Sequence, residues 1–195
     1  MPAITSTKIN IRAATVEDSQ TIAELIDIAG EGLPSRIWKS YAPLGTDPLT
    51  FGADLAADGS GNFSWKNVQI AQHQDGAAGM ILAYRLNDTP PDFTTLHPLE
   101  YPLVKLESRV PGSFYINALA VYPAAQGQGC GRLLMQQAHQ LSDEAGCTKT
   151  SLIVFSANRR ARKLYESLGY KVQASEPPVD APGLRQLGKC LLLLR

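Results

Sequence analysis

One segment of the sequence constrains the fold more than any other: a strand-like run, a glycine-rich loop and a helical pattern follow one another directly. Residues 114–122 are almost continuously apolar, which predicts a β-strand buried on both faces, and Pro123 ends it. After the glycine-rich residues 126–131, apolar side chains recur at the spacing of a core-facing helix: Leu134, Ala138, Leu141 and Ala145. The segment therefore predicts a buried strand joined by a short loop to a helix that covers the sheet.

The loop has the chemistry of an anion site. Gly127, Gly129 and Gly131 carry no Cβ, so backbone N–H groups there can come close to a ligand. The unpaired amides at the start of the following helix add roughly half a positive charge. This arrangement favours a pyrophosphate. A ligand-free turn is the alternative, although three alternate glycines exceed what a turn requires.

Two other phosphate-binding motifs do not fit the loop. A dinucleotide fingerprint needs G-x-G-x-x-G, but Arg132 stands three positions after Gly129, and no acidic residue ends the following strand at residues 153–155. A P-loop needs Lys and then Ser or Thr after its last glycine, whereas Arg132 and Leu133 follow Gly131. Both classes of nucleotide site are excluded.

The remaining sequence predicts one α/β domain over residues 1–195, without internal repeats or linkers. Strands are predicted at residues 8–13, 65–73, 77–86, 151–155, 170–173 and 190–194, and helices at residues 15–29, 33–41, 47–57, 99–107 and 158–169. Asp75-Gly76 is a hairpin signal. Residues 87–112, which include Pro90, form an insertion that is either a functional excursion or a mobile surface loop.

Residues 126–131, Gln-Gly-Gln-Gly-Cys-Gly, resemble the acetyl-CoA signature of the GNAT acetyltransferase superfamily: Gln or Arg, two free positions, Gly, one free position, then Gly or Ala. Asn158 and residues 164–170 resemble the second signature of the family. The resemblance covers residues 114–170. It implies a mixed, strongly bent sheet of about six to seven strands flanked by helices. Two parallel strands would splay apart near residues 119–121 to admit the pantetheine arm of acetyl-CoA.

The resemblance also implies a set of acetyl-CoA contacts. The loop amides would hold the pyrophosphate and Asn158 would contact the pantetheine arm, although Asn158 is equally suited to cap its helix. Four cations crowd the start of that helix, where a cofactor phosphate or solvent alone could offset the unfavourable dipole. The predicted cofactor-binding residues are Leu119, Ala120, Val121, Gln126, Gly127, Gln128, Gly129, Cys130, Gly131, Arg132, Asn158 and Arg162.

Tyr165 stands at the position of the general acid in the family. A phenol with a pKa of about 10 is protonated at neutral pH and can donate a proton to a departing thiolate. The alternative is an aromatic side chain on the core face of its helix.

The general base is less clearly marked. Many family members carry Glu where this sequence has Asn117, and an amide cannot take a proton at neutral pH, so Asn117 would position a water or the acceptor. Glu107, Glu100 and Asp92 in the insertion are the candidate bases, with Glu107 preferred because it is nearest in sequence to the active strand. Each is otherwise a solvated surface carboxylate, and a mechanism without a dedicated base also remains open.

Charge is balanced overall but not along the chain. The sequence has 18 Lys and Arg against 18 Asp and Glu. Residues 1–111 hold 13 acids and 8 bases, and residues 112–195 hold 5 acids and 10 bases. The balance excludes a protein that coats nucleic acid or membrane. The positive half carries the predicted acetyl-CoA contacts, and the negative half suits a cationic amine.

Three scattered cysteines (Cys130, Cys147, Cys190) and three histidines that lack the spacing of metal ligands predict neither a disulfide framework nor a metal site. No segment has the pattern of a leader or a membrane span, so a cytoplasmic location is expected. The expected function is an N-acetyltransferase that uses acetyl-CoA on an amine of a small molecule, peptide or protein. A catalytically inactive acyl-CoA sensor is the alternative. The oligomeric state stays open, with a homodimer compatible with the sequence.

Overall fold

A computed structural model of the protein describes residues 9–74, 76–89, 91–177 and 187–195. Its strands are β1 (Asn10–Ala13), β2 (Val68–His73), β3 (Gly76–Arg85), β4 (Phe114–Val121), β5 (Thr150–Phe155), β6 (Lys171–Glu176) and β7 (Cys190–Leu194). Its helices are α1 (Ser19–Ala29), α2 (Leu33–Tyr41), α3 (Pro48–Ala57), α4 (Tyr101–Glu107), α5 (Cys130–Glu144) and α6 (Arg159–Ser167). Lys8, Asp75 and Pro90, which belong to the predicted first strand, hairpin and insertion, lie outside the described residues.

The strands form one mixed sheet in the order β1-β2-β3-β4-β5-β7-β6, in which β4 and β5 are parallel and the other neighbours are antiparallel. The prediction of a mixed six- to seven-stranded sheet is confirmed. α5 and α6 cover one face, where Leu134 and Met135 pack with Ile116 and Leu152. α1 covers the other face through Leu25, and α4 packs there against β7.

β4 and β5 diverge after a short paired stretch. Only residues 114–116 of β4 pair with residues 150–152 of β5, while both strands continue further. On its other side β4 contains a bulge: Ala83 pairs with Ile116 and Leu82 with Ala118, so Asn117 has no partner in the register. A bulge bends its strand and increases the local twist. The divergence therefore begins at Asn117, two residues before the predicted residues 119–121.

Within the described ranges, no helix is long and apolar enough to cross a membrane. The same residues contain no group of three or more His, Cys, Asp or Glu side chains that could hold a metal ion.

Candidate active site

The loop after β4 presents a run of unpaired backbone donors. Gly127 and Gly129 both have φ of +83°, and Gly129 caps the N-terminus of α5. The amides of Arg132 and Leu133 donate to the carbonyl of Gly129 at 3.0 and 3.1 Å. In the part of the chain that the structure describes, the five amides of residues 127–131 donate no hydrogen bond. Together with the helix dipole, these donors form a site for an anion of pyrophosphate size.

The three glycines of the loop have different roles. A Cβ on Gly127 or Gly129 would meet nothing within 4 Å, so backbone conformation and not space requires glycine there. Gly131 has ordinary helical geometry, and a Cβ there would lie 3.4 Å from Cδ2 of Leu164 in α6. Gly131 thus lies where α5 contacts α6, and its use in ligand approach stays a prediction.

This difference gives a matched pair of variants. We expect Gly127→Ala to lower the free energy of unfolding by about 1 kcal/mol, because alanine is strained at positive φ, and to weaken acetyl-CoA binding. Gly131→Ala should change the stability by no more than about 1 kcal/mol and leave acetyl-CoA binding within about twofold, since alanine favours the helix and Leu164 can shift. Urea unfolding and calorimetric titration of acetyl-CoA measure both. Equal losses of affinity would contradict the assignment.

Side chains of the loop brace it and do not point to a ligand. Gln126 Nε2 donates to the carbonyl of Val121 at 3.0 Å, and Gln126 Oε1 accepts from Arg160 of α6. Gln128 Nε2 donates to the carbonyl of Ala124 at 3.1 Å, and Arg132 donates to Ser167 Oγ at 2.8 Å. The backbone thus remains the part of the loop that faces a ligand.

Cys130 is a buried thiol at the start of α5. Burial raises the pKa of this thiol to about 11, because the thiolate loses its hydration. The helix start therefore does not activate it, and its interpretation as a spacer residue agrees with the structure.

Asn158 both caps α6 and lines the central cavity. Its Oδ1 accepts from the Ala161 amide at 3.0 Å, and its Nδ2 donates to Glu31 Oε1 at 3.3 Å. Arg162, in contrast, donates to the carbonyl of Ser156 at 3.2 Å and pairs with Glu166 at 3.5 Å, away from the glycine loop.

The basic residues of α6 thus fall into two groups with different surroundings. Arg159 and Arg160 line a second cavity of about 370 Å³ beside Asn158 and Glu31, and Arg160 also contacts Gln126. Sequence reasoning noted the cluster of cations but singled out Arg162. The helical turn, visible only in three dimensions, decides which cation faces the loop.

A central cavity of about 790 Å³ runs from the gap between β4 and β5 to the helices α2, α3 and α4. Leu119 and residues 153–155 line it where the strands diverge, next to Tyr165. Unpaired strand edges can hydrogen-bond an extended amide chain in such a gap. The predicted contacts Leu119 and Asn158 border this cavity; Ala120 and Val121 lie further along β4.

Tyr165 lies at the inner end of the gap and is 7% exposed. Its ring packs edge-on against Tyr170 with centroids 6.0 Å apart. Burial raises the pKa of this phenol well above 10, so it keeps its proton at neutral pH. Tyr165 is therefore both a core residue and a protonated phenol that borders the cavity.

A polar cluster lies on the opposite wall of the cavity. Asn117 Nδ2 donates to the Tyr84 hydroxyl at 3.1 Å, and Glu107 is hydrogen-bonded to Tyr115. The rings of Tyr84 and Tyr115 meet edge to face with centroids 5.9 Å apart. The insertion thus brings the carboxylate of Glu107 to the strand residue Asn117, with two tyrosines between them. Sequence reasoning had identified neither tyrosine as part of the site.

Glu107 has the pKa expected of a base that works near neutral pH. Burial raises the pKa of its carboxyl to about 7, the charge of Glu100 adds to the rise, and the bond to Tyr115 opposes it. Glu107 in turn raises the pKa of Tyr84 and Tyr115, which burial already raises. Both phenols are therefore protonated donors at neutral pH.

The other two candidate bases are placed less favourably. Glu100 lines the cavity, but its Oε2 accepts from the Tyr41 hydroxyl at 2.7 Å and from the His97 amide at 3.0 Å. Asp92 is exposed, does not border the cavity, and accepts from the Thr94 amide at 2.9 Å. Glu107 is the candidate that the geometry supports.

The carboxyl of Glu107, which is partly buried, makes the stability of the fold depend on pH. The folded protein keeps a proton up to about pH 7 that an unfolded glutamate releases near pH 4.3. Wild-type stability therefore falls between these values as pH rises. We expect Glu107→Gln to be more stable than wild type by about 1 to 3 kcal/mol at pH 8.5 and by much less at pH 5.0. Urea unfolding measures this, with the exposed Glu144→Gln as control. An equal difference at both pH values would contradict the burial of the charge.

The family profile described as the acetyltransferase (GNAT) family matches residues 46–170, more than half of the chain. The chain belongs to the GNAT acetyltransferase family. The matched region includes the bulged strand, the glycine loop and Tyr165.

Individual GNAT relatives are more distant. A 69-residue stretch, 35% of the chain, is 38% identical to an uncharacterised N-acetyltransferase of Schizosaccharomyces pombe, of which it covers 28%. A 129-residue stretch, 60% of the chain, is 27% identical to N-alpha-acetyltransferase 40 of Saccharomyces cerevisiae, of which it covers 41%. The chain thus spans less than half the length of these two relatives.

The GNAT fold is shared across the whole described structure. The polyamine N-acetyltransferase of Drosophila melanogaster superposes with a TM-score of 0.67 at 17% identity, covering 96% of this chain and 99% of that one. At this identity the likeness shows the fold alone. Within that fold, Asn117, whose Nδ2 donates to the Tyr84 hydroxyl, occupies the strand position where the sequence departs from the family pattern.

Proposed function

We propose that the protein transfers the acetyl group of acetyl-CoA to the primary amine of a small molecule, peptide or protein, by direct attack in a ternary complex. The observation that carries this proposal is one cavity that joins the gap between β4 and β5 to both Tyr165 and Glu107. An acyl donor that enters through the gap and an acceptor that enters from the helices would meet between a proton donor and a proton acceptor.

The residues present fit acetyl-CoA. The unpaired amides of residues 127–131 suit its pyrophosphate, and the gap after Asn117 offers strand edges to its pantetheine amides. Arg160 and Arg159 lie beside the gap as candidate partners of its phosphates, in place of Arg162. When bound, acetyl-CoA supplies an acetyl group activated as a thioester.

Different side chains carry out the two proton transfers of the reaction. Glu107, anionic above about pH 7, accepts the proton that the amine loses at its nitrogen. Tyr165 donates a proton to the departing thiolate, because its own pKa lies far above that of the thiol product. Asn117 holds the Tyr84 hydroxyl and thereby orders the wall that the amine approaches.

Thiol release from acetyl-CoA, measured against a panel of primary amines and short peptides, tests the proposal. We expect turnover on at least one class of amine. Tight acetyl-CoA binding without turnover on any acceptor would contradict the enzyme and favour the catalytically inactive sensor. The presence of both Tyr165 and the partly buried Glu107 in the cavity supports the enzyme.

We further propose a cationic amine as acceptor and a reducing compartment, the cytoplasm, as location. The negative balance of residues 1–111, which carry the acceptor side of the cavity, supports the first. Equal rates on cationic and anionic amines would contradict it. The odd number of scattered cysteines, without C-x-x-C spacing, supports the second. The name of the S. cerevisiae relative supports protein N-termini as one acceptor class.

A further inference from the structure

The lining of the central cavity is uneven in charge. Of the described residues that line it, none is Lys, Arg or His, and its acidic members are Glu100 and Glu107 of the α4 region. The cations of the same segment, Lys105 on α4 and Arg109 just after it, each lie 2.9 Å from the carboxylate of Glu176 on β6. An acceptor that carries a carboxylate or phosphate would therefore lose hydration in the cavity without gaining a charged partner.

The polar groups deep in the cavity are already paired with one another. The Tyr84 hydroxyl accepts from Asn117, and Tyr115 bonds Glu107. Glu100, the second carboxylate, is engaged by Tyr41, which is 50% exposed and marks the opening. The inner cavity thus offers one carboxylate, that of Glu107, to a substrate, which suits a single amino group.

Aromatic and aliphatic side chains form the wall between that amine position and solvent. Trp38 is only 4% exposed, and Gly52 of α3 lies flat against its ring, where a Cβ would come within 2.6 Å. This close packing fixes the ring in place. Phe51 lines the cavity nearby, and Phe63, 36% exposed, lies at its rim. A rigid apolar wall stabilises a ligand by removing apolar surface from water and offers no polar contacts to a charged chain.

We infer that the acceptor is a primary monoamine with an apolar body of aromatic size, its nitrogen at Glu107 and its body against Trp38, Phe51 and Phe63. The inference rests on the proposed function and specifies its substrate class. A cavity for a polyamine would need further carboxylates along the length of the substrate. A cavity for an amino acid would need a cation to pair with the substrate carboxylate.

A set of four amines tests the inference, with kcat/KM measured by thiol release and corrected for the fraction of neutral amine. Phenethylamine should exceed ethylamine by roughly 10- to 100-fold, because the phenyl ring is buried. It should exceed phenylalanine, which adds a carboxylate, by at least about 100-fold and also exceed putrescine. Ethylamine or putrescine at the level of phenethylamine would overturn the inference while leaving acetyl transfer intact. No turnover on any amine or peptide would contradict the proposed function itself.

Two further measurements keep the inference testable apart from the rates. Calorimetric titration into the protein saturated with coenzyme A should give phenethylamine a Kd at least tenfold below that of ethylamine, and equal values would overturn the inference even without turnover. Phe63→Ala should reduce the phenethylamine-to-ethylamine ratio about tenfold. Leu44→Ala, a fully exposed aliphatic side chain outside the cavity, is the matched control and should leave the ratio unchanged. An unchanged ratio in Phe63→Ala would overturn the placement of the acceptor body.

Discussion

Glu107→Gln is expected to lower kcat/KM at pH 8 by roughly 10²- to 10⁴-fold, the usual contribution of a positioned general base. The amide keeps the size of the side chain and can still bond Tyr115, but it cannot accept a proton. Because the folded-state pKa of Glu107 is about 7, wild-type kcat/KM should rise with pH through that value as the carboxylate forms. The variant should lose this acidic limb. A pH profile of kcat/KM for both proteins measures it.

Glu100→Gln is the matched control, since it makes the same chemical change on the same segment of the insertion. The negative charge of Glu100 raises the pKa of Glu107, so its removal should keep the acidic limb and move it to lower pH. An intact limb in Glu107→Gln would remove Glu107 from the mechanism. Loss of the acidic limb in Glu100→Gln would show that Glu100, and not Glu107, is the base.

Tyr165→Phe is expected to lower kcat by roughly 10- to 100-fold and to leave the Kd of acetyl-CoA within about twofold. The loss should fall at the lower end for acid catalysis because a thiolate is a stable leaving group. The phenyl ring preserves the packing against Tyr170, so the cavity keeps its shape. Steady-state kinetics and calorimetric titration of acetyl-CoA separate the two effects.

Tyr170→Phe provides the control for Tyr165. Tyr170 is equally a buried tyrosine, its ring contacts Tyr165, and its hydroxyl is bonded to His139 Nε2 at 2.9 Å, away from the cavity. Loss of the Tyr170 hydroxyl should lower the free energy of unfolding by about 1 kcal/mol and lower kcat by less than about threefold. Unchanged turnover in Tyr165→Phe, or equal losses in both variants, would show that Tyr165 only packs.

Most of the local elements were predictable from the sequence because their signals lie within a few residues of one another. The glycine loop combines two positive-φ positions, a capped helix start and unpaired amides within residues 127–131. Asn158 was expected to cap α6 and does so. The role of Gly131 was not predictable in this way, since its neighbour Leu164 lies 33 positions further along the chain.

The choice among the candidate bases depended on the tertiary structure. Glu107, Glu100 and Asp92 are similar as a sequence pattern, and proximity in sequence to β4 was the reason to prefer Glu107. The bulge at Asn117, the packing of α4 on the sheet and the pairs of Lys105 and Arg109 with Glu176 place this carboxylate in the cavity. These contacts join residues up to 71 positions apart, so no local pattern reports them.

By itself, the sequence determined a buried strand, a glycine-rich loop and a helix in succession, and its resemblance to the family predicted a proton donor at Tyr165. Hydrogen bonding, backbone conformation and apolar periodicity are local properties and fix such units wherever they occur. Only the tertiary structure decided that α6 directs Arg160 and not Arg162 to the loop, and that Glu107 and Asn117 each bond one of two tyrosines whose rings are in contact. Helix rotation and the bend of a strand depend on what packs against them, and burial then sets the pKa of the side chains enclosed.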